Sequence, residues 1–445
     1  GLLRGDPEPT AVAPERTYPT TWDTRIAPIA EWVADERDLE FEHPVEVVLQ
    51  PEAEYLDQAD GDPATADEED QQEMDDFVAV LRALGLVEGE VDLEAAYGDL
   101  ASAGTLAYYD SDAEKVFVRG DVLTPAVRVT LAHELTHVLQ DQHFDLDRLS
   151  DPDFEEADGL RAMAEGDAGR IEDVYVAEVL TADEQTAYEA ETEASVDGSE
   201  TALEGVPPVL SAIFAAPYTL GPGFLTYREQ VDGGQPWDAV LQDPPSQEEL
   251  LDPSAWETDR SAVADVEVAA PDGAEVLDED TFDPLTWYLL LASRGDPAAA
   301  LRVVDGWGGD AYVAYRQDDR VCAAMAVAGD DTAALDGLET ALSAWAEGDP
   351  TGTTTVERAG ATVEVRVCDP GAAAAATGTV TEELLSVPYL RAELEGAVVE
   401  SGATEDQARC TSRALFEVLT LEQLTATTLG PALQQQVTEA VMACR

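Results

Sequence analysis

Leu131-Ala132-His133-Glu134-Leu135-Thr136-His137-Val138-Leu139-Gln140-Asp141-Gln142-His143 holds three of the four histidines in a chain of 445 residues. Just upstream, Thr124 and Pro125 read as an N-cap and a first helical position, and Val127, Leu131, Leu135 and Val138 recur at helical spacing. The pattern predicts one helix from Pro125 to about His143. On it His133 and His137 lie one turn apart, with side chains about 5–6 Å from each other. Two imidazoles so placed suit a shared tetrahedral ion. Glu134 lies about 100° round the helix, beside such an ion rather than bonded to it. There a carboxylate can take a proton from water at the metal.

Two histidines do not complete a site, so a third protein ligand is expected, with a fourth position left to water. Glu165 and His143 compete for the role. Glu165 lies in Ala162-Met163-Ala164-Glu165-Gly166-Asp167-Ala168, inside a stretch at 154–180 where Leu160, Met163, Ala164, Ile171, Val174 and Ala177 recur at helical intervals. A carboxylate from a following antiparallel helix can reach the metal, and Gly166 beside it permits close helix packing. His143 has the histidine spacing of the metzincin pattern, but Gln140 stands where that pattern needs a glycine. A continuing helix turns His143 about 240° from His137. Glu165 is therefore favoured. Asp141 reads as a surface charge in preference to a partner of the site, and His43 as a loop residue.

Working outward, the runs at 105–110 and 115–120, separated by Ser111-Asp112-Ala113-Glu114, predict a hairpin directly before the histidine helix. A helix within 22–40, a strand at 44–50 and an amphipathic helix at 74–87 precede it. Acidic stretches at 58–72 and 181–200 read as solvated loops. Beyond 201, Pro- and Gly-rich segments such as Ala216-Pro217-Tyr218-Thr219-Leu220-Gly221-Pro222-Gly223 read as turns among helices, and 311–328 with 352–369 as a pair of strands. The expected fold is α+β. Its parts are an irregular lead at 1–21, a core carrying the site at 22–200, a mixed helical and strand subdomain at 201–380 that completes the cleft, and a small helical unit at 381–445.

The chain carries 95 acidic against 23 basic residues, Lys115 being the one lysine, for a net charge of −72. Such a field excludes nucleic acid and anionic membranes as partners. At ~1 M salt the Debye length falls to about 3 Å, so the surface suits a halophilic setting. No run of 18 or more apolar residues appears, and no membrane span is expected. Gly1-Leu2-Leu3-Arg4 is too short an apolar run for a signal peptide. Of the three ways to pair four cysteines, Cys322–Cys368 between two strand-like runs and Cys410–Cys444 around the C-terminal helical segment is favoured. Cystine points to an oxidising compartment, outside the cell or at its surface, with any signal sequence removed.

HELTH followed by AEGDA resembles the gluzincin branch of the zincin metallopeptidases. Within it the layout is similar to a group of predicted extracellular metallopeptidases of bacteria and archaea, through PVEVVL, LAYYDSDAEKVFV, LAHELTHVLQDQHFDL, AEGDA, APYTLGPGF, DPPSQEELLDP and GWGGD, over about residues 22–315. The resemblance implies a twisted sheet over the histidine helix, with the glutamate-bearing helix behind and an edge strand lining the cleft. KVFVRG at 115–120 is the expected edge strand, able to hold a protein or peptide substrate by strand addition. Zn2+ would sit on His133, His137 and Glu165, with Glu134 as general base and then general acid. The usual transition-state donor is not recognisable, and Tyr218 and Tyr175 are both candidates to support the oxyanion. Two other readings compete: a non-catalytic, metal-containing surface module, and a hydrolase of cell-wall peptides. Glu134 argues against the first, because a metal held only for structure needs no base.

Overall fold

The computed structural model describes residues 17–59, 68–102, 105–151, 154–256, 263–349, 352–424, 426 and 428–444. Most of the expected lead and residues 60–67 of the first acidic stretch lie outside them. The architecture is mixed α+β, with two sheets among many helices.

Strands β1 (Glu46–Gln50), β2 (Ala107–Asp110) and β3 (Lys115–Arg119) form a small sheet in the order β1-β3-β2. β3 runs parallel to β1 and antiparallel to β2. Val116 and Val118 are fully buried and share a cluster with Leu131, Leu135 and Val138 of the histidine helix, while Phe117 stacks on Tyr108. This is the period-2 alternation of a strand between two layers. The hairpin is as expected, but the edge is not. β3 is paired on both sides, so the strand open to addition next to the histidine helix is β2.

The histidine helix spans Pro125–Phe144, with Thr124 Oγ1 accepting from Val127 N at its start. It is buried nearly all round, Glu134, Thr136 and Gln140 included. Buried polar groups need partners, and Thr136 finds one in the Ala132 carbonyl. The stretch expected as a second acidic loop is instead the helix Ala182–Ala202, begun by a reciprocal cap between Thr181 and Glu184. Its carboxylates serve the neighbouring helix: Glu191 accepts from Ala126 N at the histidine helix's positive end, and Glu184 pairs with Arg128.

The glutamate helix, Ala157–Glu178, packs on the histidine helix and on Pro208–Asp232. The latter runs straight through the expected Pro-Gly turn, taking Pro217 and Pro222 inside it. Gly166 and Gly221 make the close approach possible. A Cβ on Gly166 would sit 2.8 Å from the Gly221 carbonyl carbon, and one on Gly221 would lie 1.9 Å from the Ala162 carbonyl oxygen. By length and a mean hydropathy of 1.3, Pro208–Asp232 is apolar enough to cross a membrane, yet half of that window is buried against these neighbours.

In place of a lone strand pair, the second half holds a five-stranded antiparallel sheet. β4 (Glu275–Asp280), β5 (Trp307–Gln317), β6 (Arg320–Gly329), β7 (Thr355–Ala359) and β8 (Thr362–Cys368) lie in the order β4-β5-β6-β8-β7. Asp318 and Asp319 both take positive φ in the two-residue turn between β5 and β6, as a type I′ hairpin requires. Cys322 and Cys368 face each other directly across β6 and β8 and are bonded. The second bond, Cys410–Cys444, ties helix Glu405–Val418 to the end of Pro431–Ala443. One hydrophobic cluster runs from Val78 to Phe416 and so joins three of the four expected parts, all but the lead.

Candidate metal centre

His133 and His137, on successive turns, face Glu165 of the glutamate helix. His133 Nε2 lies 3.2 Å and His137 Nε2 3.5 Å from the same oxygen, Glu165 Oε2. The three ligand atoms all fall within 4.8 Å of one another. Ligands bound at 2.0–2.1 Å in a tetrahedron stand about 3.3 Å apart, so the two closest separations match the edges of a zinc-sized site. The two-imidazole, one-carboxylate set is also the chemistry of catalytic sites that leave a fourth position open. The residues fit a metal ion.

Among protein groups alone the cluster is held by protons. Burial would raise the Glu165 carboxyl, but the charge of His137 and hydrogen bonds from both imidazoles outweigh it and draw the group well below its usual range. Burial would lower His137, and Glu165 reverses that and lifts it to about 9. The imidazolium charge at this position is what a bound cation would replace.

Glu134 points between the helix and the sheet, where its Oε2 accepts from Tyr109 N of β2 at 2.8 Å. Burial raises its carboxyl above the ordinary range, against the pull of His133 and His137. Tyr109 also donates its hydroxyl to Asp141 Oδ2 at 2.6 Å. Asp141, expected as a surface charge, therefore ties the edge strand to the histidine helix.

The rival ligand is elsewhere. His143 Nε2 lies 2.8 Å from the Glu40 carbonyl, outside the group. The two tyrosines separate as well. Tyr218 is 48% exposed, but its hydroxyl turns inward to Glu165, and burial of that end with the carboxylate's charge raises its pKa. Tyr175 is 2% exposed and packs edge-on against Trp32, near Arg128 and Glu184. It stands ten residues beyond Glu165, about 15 Å along the helix, which removes it as an oxyanion donor.

Three partners went unnoticed in the sequence. Glu172 faces His133 Nδ1 at 3.6 Å, and Gln140 Oε1 lies 2.8 Å from His137 Nδ1. Asp167 Oδ2 takes Gln140 Nε2 and Arg37 Nε. Signals existed for two: Glu172 is seven residues after Glu165, on the same helical face, and Gln140 is three after His137. A separate cleft of about 530 Å³ is lined by Glu156, Glu248, Asp283, Trp307 and Asp310 without a histidine. There DPPSQEELLDP and GWGGD meet, and Asp310 accepts from Phe282 N and Trp307 Nε1, so these motifs build a corner of the fold.

No protein-family model matches the chain, and no curated protein or solved structure does either.

Proposed function

We propose that the protein is a zinc-dependent metallopeptidase of the zincin type, gluzincin-like in its ligands, that hydrolyses peptide bonds outside the cell. The observation that carries this reading is the meeting of His133, His137 and Glu165, both imidazole Nε2 atoms standing at tetrahedral-edge distance from Glu165 Oε2, with Glu134 alongside. The hairpin packed over the histidine helix, and the glutamate helix behind it, support the zincin arrangement. The two disulfides are compatible with an extracellular location.

Zinc held by these three side chains would supply a Lewis acid for the scissile carbonyl and a lowered pKa for water. The remaining work belongs to the chain. Glu134, raised by burial, accepts the proton of the attacking water and returns it to the leaving amine. The Tyr218 hydroxyl donates to the developing oxyanion. The edge of β2 away from β3 is the side on which an extended peptide would add, Tyr109 N being already held by Glu134.

Metal analysis in high salt tests the centre. One zinc per chain is expected in wild type and in His143→Ala, and none in Glu165→Ala. Glu134→Gln should keep the zinc and lose hydrolysis of casein by about 10²–10⁴-fold. A wild-type protein that takes up no zinc would sink the proposal, and cleavage of cell-wall peptides in place of casein would redirect its substrate.

A further inference from the structure

Behind His137 runs a chain of hydrogen bonds whose direction is forced. Gln140 is fully buried, and its Nε2 lies 3.1 Å from both the Ala164 carbonyl oxygen and Asp167 Oδ2. Neither a carbonyl nor a carboxylate oxygen has a proton to give, so the amide NH2 must face them. Oε1 then faces the other way, toward His137 Nδ1 at 2.8 Å. An oxygen there only accepts, and Nδ1 carries the proton. A neutral ring protonated at Nδ1 keeps the lone pair of Nε2 free, and Nε2 is the atom turned to Glu165. Asp167 is itself anchored by Arg37 Nε at 2.8 Å, both side chains being almost wholly buried, and Arg37 Nη2 goes on to Asp238 at 2.8 Å.

We propose that Gln140 and Asp167 are positioning residues: a buried Arg37–Asp167–Gln140 relay locks His137 in its Nδ1–H tautomer and so presents Nε2 to a divalent metal. The inference rests on the metal-centre reading but not on peptidase activity. None of the three residues touches the three ligand atoms. Partners of this kind fix ring orientation and tautomer, and losing one typically weakens metal binding by about 10–100-fold. The relay also brings the helix Ala27–Arg37 into the metal's support, although it lies far upstream in sequence.

The test compares wild type, Gln140→Leu and Asp167→Asn, all checked for folding by circular dichroism. Zinc dissociation constants come from chelator competition, and the His137 Nδ1–H resonance is followed in zinc-loaded protein carrying 15N-histidine. Asparagine can donate as well as accept, so with Asn at 167 only the Ala164 carbonyl still holds the Gln140 NH2 in place, and the flipped amide that turns NH2 toward His137 and takes the proton off Nδ1 gains population. Wild type should show the Nδ1–H resonance, and both variants should bind zinc about 10–100-fold more weakly, with the resonance lost or displaced in Asp167→Asn. If Gln140→Leu does not fold, Asp167→Asn decides. A folded Asp167→Asn protein with wild-type affinity and an unchanged resonance overturns the relay even if its melting temperature falls, because a purely structural Asp167 would change stability alone. If wild type takes up no zinc, the metal-centre reading fails separately, and the tautomer is still decided in metal-free protein in alkaline solution, where the imidazole is neutral.

Discussion

Tyr218 offers the site one hydroxyl and keeps half of its ring in water. Tyr218→Phe removes that donor and leaves the ring. Under the proposed chemistry, kcat should fall by about 10²–10³-fold, with zinc stoichiometry unchanged in the same preparation. Loss of zinc would instead assign the hydroxyl to holding Glu165. His133, Glu134 and His137 were legible because helix geometry sets where side chains one and four residues apart point, and Glu165 through the periodicity of its own helix, the turning away of His143 and the likeness of AEGDA to a known ligand motif. Tyr175, ten residues along the helix from Glu165, was kept as a candidate although the same arithmetic puts it too far away, and Glu172, at seven, was passed over although it shares the face. Asp141 was not legible in this way. Its partner, Tyr109, sits on a strand 32 residues earlier, and only tertiary packing brings the two together.

Among the elements, the helices with plain amphipathic spacing were readable, and those with punctuation or uniform charge were not. Pro217 and Pro222 withhold N–H groups from the carbonyls of Ile213 and Tyr218, four residues earlier. Both of those side chains lie on the exposed face, where water can serve the carbonyls, so the helix continues. Its hidden face is the glycine contact with the glutamate helix. Gly221→Ala forces a methyl into the Ala162 carbonyl, and overpacking of this kind costs about 1–3 kcal/mol. Urea unfolding should show that loss, and zinc affinity should drop with it because Glu165 rides on the displaced helix. Gly169→Ala, with nothing within 4 Å of the added carbon and a place inside the same helix, should leave zinc affinity unchanged and raise stability by about 0.5–1 kcal/mol. The strand order was hidden for another reason: β3 gains its second neighbour from the distant β1, and short-range patterning says nothing about such a pairing.

For the whole molecule, a charge of −72 predicts stability that rises with salt, because the Debye length shrinks from about 30 Å at 0.01 M to about 3 Å at 1 M. A thermal midpoint insensitive to salt would refute this. One buried acid predicts a pH dependence. Glu395 is fully buried, takes a hydrogen bond from Ser412, and has a second oxygen without a hydrogen-bond partner among the described residues. Burial, aided by Asp252, pushes its carboxyl from 4.5 up to about 7. The folded chain thus binds this proton more tightly than the unfolded one. Its contribution is fully present below pH 4.5 and is lost as the pH rises through 7. Urea unfolding of the wild type should lose stability between those pH values, and Glu395→Gln should lack that loss. The cysteine pairing was legible from the segments around each cysteine, and the bridges close spans of 46 and 34 residues. A single cut inside either span leaves both fragments on one covalent thread. Should the proposed peptidase clip itself there, the nicked chain would run as one species on a non-reducing gel and come apart only after thiol treatment.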